Sequence, residues 1–374
     1  MREVVVVGAG FHPYGVFPDR SIVDLGCTAI HAALSDASMV WEDIETAFCG
    51  TVQPQISVGH MVCNEMGLTG LGIVNVENAS ASGSSAFREA YLSIASGEHE
   101  SAIAFGVDKL RGQPKLPAQT KEKISGGGNG LEKKLPVHRF AELASHYMQE
   151  YGITRDQMGL VSVKSHYNAS LNENAHFRKP VTLAEVHAAR MVVEPFTVLH
   201  CCPWDEGAAA VILCSREKAG QFTKKRTPRV CASVATSSPP DGDRLIHLTR
   251  ITARQAMEKA GISPSDLDLI ELHDAFTIEE IIYTEAIGLC EVEDIGRFIE
   301  KGETSLFGRH PVNSSGGLIS MGHPIGPTGV GQIAEILWQM RGECGKRQIP
   351  RPVNTAMAHM VGAGGVCLIH ILKK

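Results

Sequence analysis

The chain has 374 residues, of which 43% are hydrophobic and 20% are charged, and its formal net charge is −6. This composition is that of an ordinary globular protein, long enough for two core-bearing units or one large one. The small acidic excess gives no reason to expect nucleic acid or an anionic membrane as a partner, and no segment has the roughly 18 apolar residues that a membrane span requires.

The first strand is predicted at residues 3–8, an apolar run without the basic flank or cleavage site of a signal peptide. Ten cysteines are scattered along the chain without Cys-x-x-Cys spacing. The adjacent Cys201 and Cys202 could not comfortably ligate one metal ion. We therefore expect no bound metal, reduced thiols and a cytoplasmic location.

Strands and helices alternate along both ends of the chain. Apolar patterns predict further strands at residues 46–52, 73–76, 101–107, 267–272, 353–358 and 366–372, and residues 205–213 lead into a strand that returns to the first half of the molecule. Helical periodicity is found at residues 22–38, 61–67, 86–96, 140–151, 154–172, 182–189, 248–260, 278–287 and 329–341. This alternation favours stacked α/β layers.

Residues 112–134 differ in character from their surroundings. They contain Pro114, Pro117, five lysines and a run of three glycines, so we predict a mobile, solvated loop. The lysines could meet the phosphates of a ligand, or they could simply form a charged surface loop.

Ser80 lies in a small-residue stretch between the apolar run at 73–76, expected to be a buried strand, and the helix that follows. A strand-to-helix turn favours a nucleophile, because the free N–H groups and the dipole of the helix stabilise developing negative charge. The alternative is a helix start whose serines act only as N-caps.

Three further motifs help to decide between these interpretations. They are His273-Asp274-Ala275-Phe276, the glycine-rich residues 316–329 with Gly322-His323-Pro324 at their centre, and residues 359–365. With the Ser80 stretch, their order and spacing resemble the active-site loops of the thiolase superfamily across essentially the whole chain. The similarity is closest to the sterol-carrier-protein type and the archaeal thiolases. One departure stands out, since Ser80 occupies the position of the family's nucleophilic cysteine.

The resemblance implies a thiolase fold, in which two pseudo-symmetric halves each carry a five-stranded mixed sheet in αβαβα layers. It places the first half at residues 1–111 and 195–236, a loop domain at 112–194 and the second half at 237–374. The substrates would be coenzyme A and acyl-CoA, without a covalently bound cofactor, in acyl-CoA metabolism such as a degradation similar to β-oxidation. The implied partners are a second copy of the chain and a small zinc-ribbon/OB-fold subunit.

The resemblance also assigns roles to individual residues. His323 and His273 would form the oxyanion hole for an enolate, and the N–H groups of Ser80, Gly362 and Gly364 would face the acyl oxyanion. Candidate substrate contacts are Asp274, Phe276, Met321 and Met360. The two positions where relatives carry an acid/base thiol hold His359 and Ala275, so either His359 or His273 is expected to carry the proton. A serine nucleophile would need a base within hydrogen-bond reach, and His359 is the natural candidate.

Ser80 leaves three functions open. The first is thiolytic cleavage of a 3-oxoacyl-CoA, or the reverse condensation, with residue 80 changed from cysteine in this protein. The second is retro-aldol cleavage of a 3-hydroxyacyl-CoA, which needs an enolate hole and a base but no nucleophile. The third is a non-catalytic acyl-CoA-binding subunit, although a protein without activity has no need of three motif histidines.

Overall fold

The computed structural model describes residues 2–110, 136–238, 245–363 and 365–374. Its strands are β1 (Val4–Gly15), β2 (Thr46–Gly50), β3 (Gly72–Val76), β4 (Ser101–Lys109), β5 (Met191–Val193), β6 (Phe196–Thr197), β7 (Glu206–Ser215), β8 (Arg229–Ser237), β9 (Leu269–Glu271), β10 (Thr355–Gly362) and β11 (Val366–Lys373). Its helices are α1 (Ile22–Ala37), α2 (Val58–Met66), α3 (Ser82–Ala95), α4 (Pro136–Tyr151), α5 (Arg155–Ser170), α6 (Leu183–Ala188), α7 (Arg216–Ala219), α8 (Ile246–Ala260), α9 (Thr277–Ile287), α10 (Ile295–Glu300), α11 (Gly317–Ser320) and α12 (Thr328–Arg341).

Nine of these strands form one mixed sheet in the order β3-β2-β4-β7-β1-β8-β11-β10-β9, and β5 pairs with β6. The first half supplies the five strands from β3 to β1. The other four strands group with the second half, because β8, which lies almost wholly before the predicted boundary at residue 237, pairs along its length with β11. Val312 adds a single parallel bridge to Ile270 of β9 where a fifth strand was expected. The halves join where Val5 of β1 pairs with Arg229 of β8.

The helices cover the sheet in layers because successive strand residues point to opposite faces. Val5 and Val7 of β1 pack in the cluster that contains α1, whereas Val4 and Val6 pack in the cluster of α3 and α12. On the other side of the second half, α8 and α9 cover β8, β10 and β11. The predicted αβαβα layering is confirmed.

Local sequence explains where the helices begin and end. Ser21 and Asp24 form a capping box at the start of α1, in which each side chain accepts a hydrogen bond from the backbone N–H of the other residue at 3.0 Å. Gly261 ends α8 in the left-handed conformation with a φ of 61°.

The two halves meet through the central helices α3 and α12, where glycines allow the backbones to touch. A Cβ on Gly83 would lie 2.3 Å from the carbonyl oxygen of Gly326, and one on Gly329 would lie 2.5 Å from the amide nitrogen of Ser84. Asp108, at the end of β4, accepts a hydrogen bond of 2.6 Å from the amide of Gly326. The loop that leads into α12 is therefore held against the first half.

One sequence expectation is wrong. The apolar run at 73–76 is not a buried strand, because β3 is the edge strand of the sheet and Val74 is 45% exposed. The predicted mobile loop at 112–134 lies outside the described residues, and the domain boundaries stay a prediction. No helix in the described part of the chain is long and apolar enough to cross a membrane.

Candidate active site

Ser80 lies in the turn between β3 and α3. Ala79, just before it, has a φ of 50°, a left-handed conformation that is uncommon for a residue with a side chain. The turn is fastened by Ser82, whose hydroxyl donates to the carbonyl of Ala79 at 2.6 Å and accepts from the amide of Asn78 at 2.8 Å. The first turn of the helix therefore holds the backbone and leaves the half-buried Ser80 hydroxyl for other partners.

His323 is the partner of Ser80. Its Nε2 atom lies 3.1 Å from the Ser80 hydroxyl oxygen, and its Nδ1 atom lies 2.9 Å from the hydroxyl oxygen of Thr328 at the start of α12. Burial, reinforced by positive charge on His273, holds the pKa of His323 well below its usual value. The ring is therefore neutral near pH 7, with one nitrogen that donates and one that accepts.

His273 is paired with a buried carboxylate. Its Nδ1 atom lies 2.9 Å from Oε1 of Glu279, and its ring stands perpendicular to that of His323 at a centroid distance of 5.5 Å. Glu279 also accepts hydrogen bonds from the amide of Phe276 at 3.0 Å and from the hydroxyl of Tyr283 at 3.1 Å. This carboxylate can stabilise a proton on His273.

His359 lies on β10 and is fully buried. Its Nε2 atom is 3.0 Å from the hydroxyl oxygen of Thr249, and Nδ1 has no hydrogen bond to any described residue. Burial, with a smaller contribution from charge on His273, lowers its pKa to about 3. The Ser80 hydroxyl contacts His323 and not His359 in this structure, and the role of His359 as the base stays a prediction.

The predicted acyl oxyanion donors are described only in part. Gly362 ends β10 directly beneath the Ser80 turn, where a Cβ would lie 2.4 Å from the carbonyl oxygen of Asn78. Gly364 lies outside the described residues. The hairpin between β10 and β11 thus packs against the turn, and the donor roles of Ser80, Gly362 and Gly364 stay a prediction.

The four predicted substrate contacts are all buried. Asp274 accepts a 2.6 Å hydrogen bond from the amide of Leu318, and burial together with the charge of Glu280 raises its pKa well above the usual value. Met360 packs beneath Ala81, and Met321 belongs to the central core. Phe276 stacks on the rings of Phe140 and Phe196 at 4.9 and 5.8 Å. Their contact with substrate stays a prediction.

Three residues of the site were missed by sequence reasoning. Glu279 could have been found, because it is the third residue of α9, where a Glu side chain reaches back to the backbone N–H before the helix, here that of Phe276 beside the His273 motif. Thr328 stands at the start of a predicted helix, five residues after His323. Asp205 contacts the main chain of His323 from a distant segment, and no local pattern indicates that contact.

No group of three or more His, Cys, Asp or Glu in the described ranges is arranged to hold a metal ion, and all ten cysteines are free thiols. The arrangement combines two neutral imidazoles, a serine hydroxyl and one imidazole backed by a carboxylate. Such a set can donate hydrogen bonds to an oxyanion and move one proton.

Comparisons with known protein families match both halves. The model described as "Thiolase, N-terminal domain" matches residues 4–217, and that described as "Thiolase C-terminal domain-like" matches residues 231–374. The acetyl-CoA acetyltransferase of Methanothermobacter thermautotrophicus is 36% identical, with both chains covered in full. Sterol carrier protein 2 of Bos taurus is 33% identical over the whole of this chain and 72% of that protein.

A solved structure has the same fold. The Ltp2-ChsH2(DUF35) aldolase superposes with a TM-score of 0.84 and 23% sequence identity, covering 98% of this chain and 97% of that one.

Proposed function

Because this chain belongs to the thiolase family, we propose that it breaks or forms a carbon–carbon bond beside the carbonyl group of a CoA thioester. The reaction that we favour is retro-aldol cleavage of a 3-hydroxyacyl-CoA, or the reverse addition. The observation that supports this choice is that residue 80 carries a hydroxyl group where a thiolase has a thiol. This hydroxyl lies 3.1 Å from Nε2 of the neutral His323 ring.

Acyl transfer to Ser80 is disfavoured for two reasons. A serine hydroxyl must lose its proton to a base, and the pKa of His323 is held well below its usual value, which makes it a weak one. An acyl-serine is also an oxygen ester, more stable than the thioester from which it forms, so a CoA thiol could not easily reclaim the acyl group. Aldol chemistry avoids both difficulties, since it has no acyl-enzyme.

His273 is the proton carrier in this proposal, because it is the histidine of the three that is paired with a carboxylate. Its Nε2 atom takes the proton of the 3-hydroxyl group, and the bond between C2 and C3 breaks as C3 becomes a carbonyl carbon. The bonding pair moves to C2 as an enolate, whose oxygen accepts hydrogen bonds from Nε2–H of His323 and from Ser80. His273 then returns the proton to C2, giving a shortened acyl-CoA and an aldehyde or ketone.

Thiolytic acyl transfer is the second candidate. It is supported by the 36% sequence identity with an acetyl-CoA acetyltransferase over the whole of both chains. In that reaction residue 80 would hold the acyl group until free CoA removed it.

A substrate panel separates these reactions. The purified chain is incubated with 3-hydroxyacyl-CoA and 3-oxoacyl-CoA esters, with and without free CoA, and both the products and the intact protein mass are measured. We expect cleavage of a 3-hydroxyacyl-CoA without added CoA and without a mass adduct. An adduct on Ser80 with CoA-dependent cleavage of a 3-oxoacyl-CoA would establish the second candidate instead. Binding without cleavage of either class, both by this chain alone and together with the partner subunit proposed below, would indicate the acyl-CoA-binding subunit.

We further propose a homodimer through the first-half strands. The edge position of β3 and the exposed side chains of Ile56, Leu68 and Val74 support it, since unpaired edge strands and exposed apolar groups favour association. Light scattering after size exclusion should give about twice the chain mass of 40.2 kDa, and a monomer would refute the dimer.

A small zinc-ribbon/OB-fold partner subunit is also proposed. The support is the name of the structural neighbour, which joins Ltp2 to a second component, ChsH2(DUF35). Full activity from this chain alone would count against the partner.

A further inference from the structure

Asp205 connects the catalytic loop to a distant segment. It is buried just before β7, and its Oδ2 atom accepts a 3.2 Å hydrogen bond from the backbone amide of His323. Its other oxygen, Oδ1, lies 2.5 Å from Nδ1 of His176. A single carboxylate therefore joins His176 to the main chain of the histidine that contacts Ser80.

His176 belongs to residues 172–177, a segment between α5 and α6 that begins with a turn and then runs along the loop carrying His323. The amide of His176 donates to the carbonyl of Met321 at 2.9 Å, and the amide of Phe177 donates to that of Ser320 at 3.0 Å. The side-chain amide of Asn172 donates to the carbonyl of Ser315 at 2.9 Å. The segment thus holds His176 in fixed register with the loop.

The loop is also shaped to receive the carboxylate. Gly322 has a φ of 122°, and a Cβ at this position would lie 2.1 Å from Oδ2 of Asp205. Only a residue without a side chain allows the carboxylate to approach the backbone here. Asp205 is therefore fitted against the main chain of Gly322 and His323 rather than against their side chains.

We propose that Asp205, braced by His176, is a positioning residue that fixes the backbone of His323 so that Nε2 reaches residue 80. The role of His323 in the reaction rests on the function proposed above, whereas the positioning itself does not. His176 has a side chain that is 23% exposed beside a fully buried carboxylate. Its Nδ1 atom contacts the carboxylate from the solvent side, and a hydrogen bond to a buried charged group is a strong one.

The test uses the full chain in an S80C background, so that the thiol at position 80 reports on His323. The pH dependence of its alkylation by iodoacetamide is followed by peptide mass spectrometry, which separates it from the ten native cysteines. His176→Leu is compared with His176→Gln, which retains a donor. His187→Leu is the matched control, because His187 pairs with Asp156 at 2.8 Å on the protein surface.

We expect His176→Leu to raise the apparent pKa of that thiol by about one pH unit, the scale of one lost hydrogen bond to a charged group. His176→Gln should restore most of the shift, and His187→Leu should cause none. If His176→Leu does not fold, as judged by circular dichroism, His176→Ala carries the same expectation. An unchanged pH profile in a folded variant without the His176 ring would overturn the proposal.

Steady-state kinetics in the Ser80 protein provide the second measurement. Displacing a catalytic group by about 1 Å can cost on the order of 100-fold in rate, so kcat should fall at least about 10-fold in His176→Leu, with KM within about twofold. A changed alkylation profile in a protein that cleaves no acyl-CoA would sustain the positioning role and refute the proposed function.

Discussion

Residue 80 determines which chemistry the site can perform. A thiol has an unperturbed pKa of about 8.5 and is partly ionised near neutral pH, whereas a serine hydroxyl needs a base to become a nucleophile. The turn that carries Ser80, its hydrogen bond to His323 and the start of α3 would suit a thiolate as well as a hydroxyl. A single atom therefore separates two reactions on one scaffold.

The Ser80→Cys variant is expected to gain a covalent step. Near the N-terminus of α3 the thiolate is stabilised, and its thioester can exchange with free CoA. Intact mass after incubation with a 3-oxoacyl-CoA should show an acyl adduct that added CoA removes. Ser80→Ala is the control and should show no adduct. If the cysteine variant remains unmodified by every substrate tested, position 80 does not face the acyl carbon.

Replacing Glu279 by Gln should disable proton transfer. The amide is close in shape to the carboxylate but cannot neutralise a protonated His273, so kcat should fall about 100- to 10,000-fold, the usual contribution of a general base. The control is Tyr283→Phe, which removes a 3.1 Å hydrogen bond from the same carboxylate without touching His273. Equal losses in the two variants would mean that Glu279 has only a structural role.

At the scale of residues, the sequence identified the motifs but not their partners. Ser80, His273, His323 and His359 could be singled out because each lies in a motif whose order and spacing along the chain resemble those of one family. Ser80 pairs with His323 rather than His359 because of the way α12 packs against α3. Ser80 and His323 are 243 positions apart in the sequence. Local pattern contains no information at that range.

At the scale of elements, one glycine explains why the end of the first strand was predicted incorrectly. The first strand was expected to end at Gly8 but continues to Gly15. A Cβ on Gly10 would lie 2.3 Å from the carbonyl oxygen of Ala29, so this glycine makes room for α1 rather than breaking the strand. Helix bounds were close to the prediction, because capping residues and periodicity are local signals.

The contact between α3 and α12 should be intolerant of added volume. Gly83→Ala places a methyl group within 2.3 Å of the Gly326 carbonyl, and such overpacking typically costs about 1–3 kcal/mol of unfolding free energy. Gly220→Ala is the matched control, since a Cβ there would meet nothing within 4 Å. Denaturant unfolding of both variants measures the difference, and equal stabilities would show that the helices can separate freely.

At the scale of the whole molecule, buried polar groups tie layers together. His370 of β11 lies 2.7 Å from the hydroxyl oxygen of Ser84 on α3 and 3.0 Å from that of Ser233 on β8. Burial, followed by the positive charge of Arg88, lowers its pKa to about 3. The unfolded chain, with an ordinary histidine pKa near 6.5, therefore binds more protons than the folded chain between these values.

This difference predicts that stability is lost as the pH falls below about 6.5. His370→Asn removes this contribution. As the pH falls from about 6 to about 4, the free energy of unfolding should therefore decrease less steeply in the variant than in the unaltered protein, by about 1 kcal/mol per pH unit. Asp108 and Glu271, whose pKa values burial raises to about 7, act in the opposite direction but are present in both proteins. Parallel pH curves for the two proteins would contradict the expectation.

The continuous sheet was beyond sequence reasoning, because it depends on how two separately predicted halves meet. Two repeats of strand and helix predict two layered units. One residue pair, Val5 and Arg229, joins them into one sheet. The hydrophobic periodicity of the sequence gives no indication of this pairing. The fourth strand of the second half, β9, is only three residues long, too short to be delimited from an apolar run.

The division of the site between the halves has a mechanical consequence. Ser80 belongs to the first half and the three histidines to the second, so the reacting groups lie on opposite sides of the seam between the halves, where α3 and α12 pack in one buried cluster with strands of both halves. Slight opening of the seam would separate Ser80 from His323 while each half kept its own hydrogen-bonded ladder. Activity should therefore disappear on gentle heating before secondary structure does, and turnover compared with circular dichroism over the same temperatures would show the gap. Loss of turnover would then report that the two halves are no longer aligned.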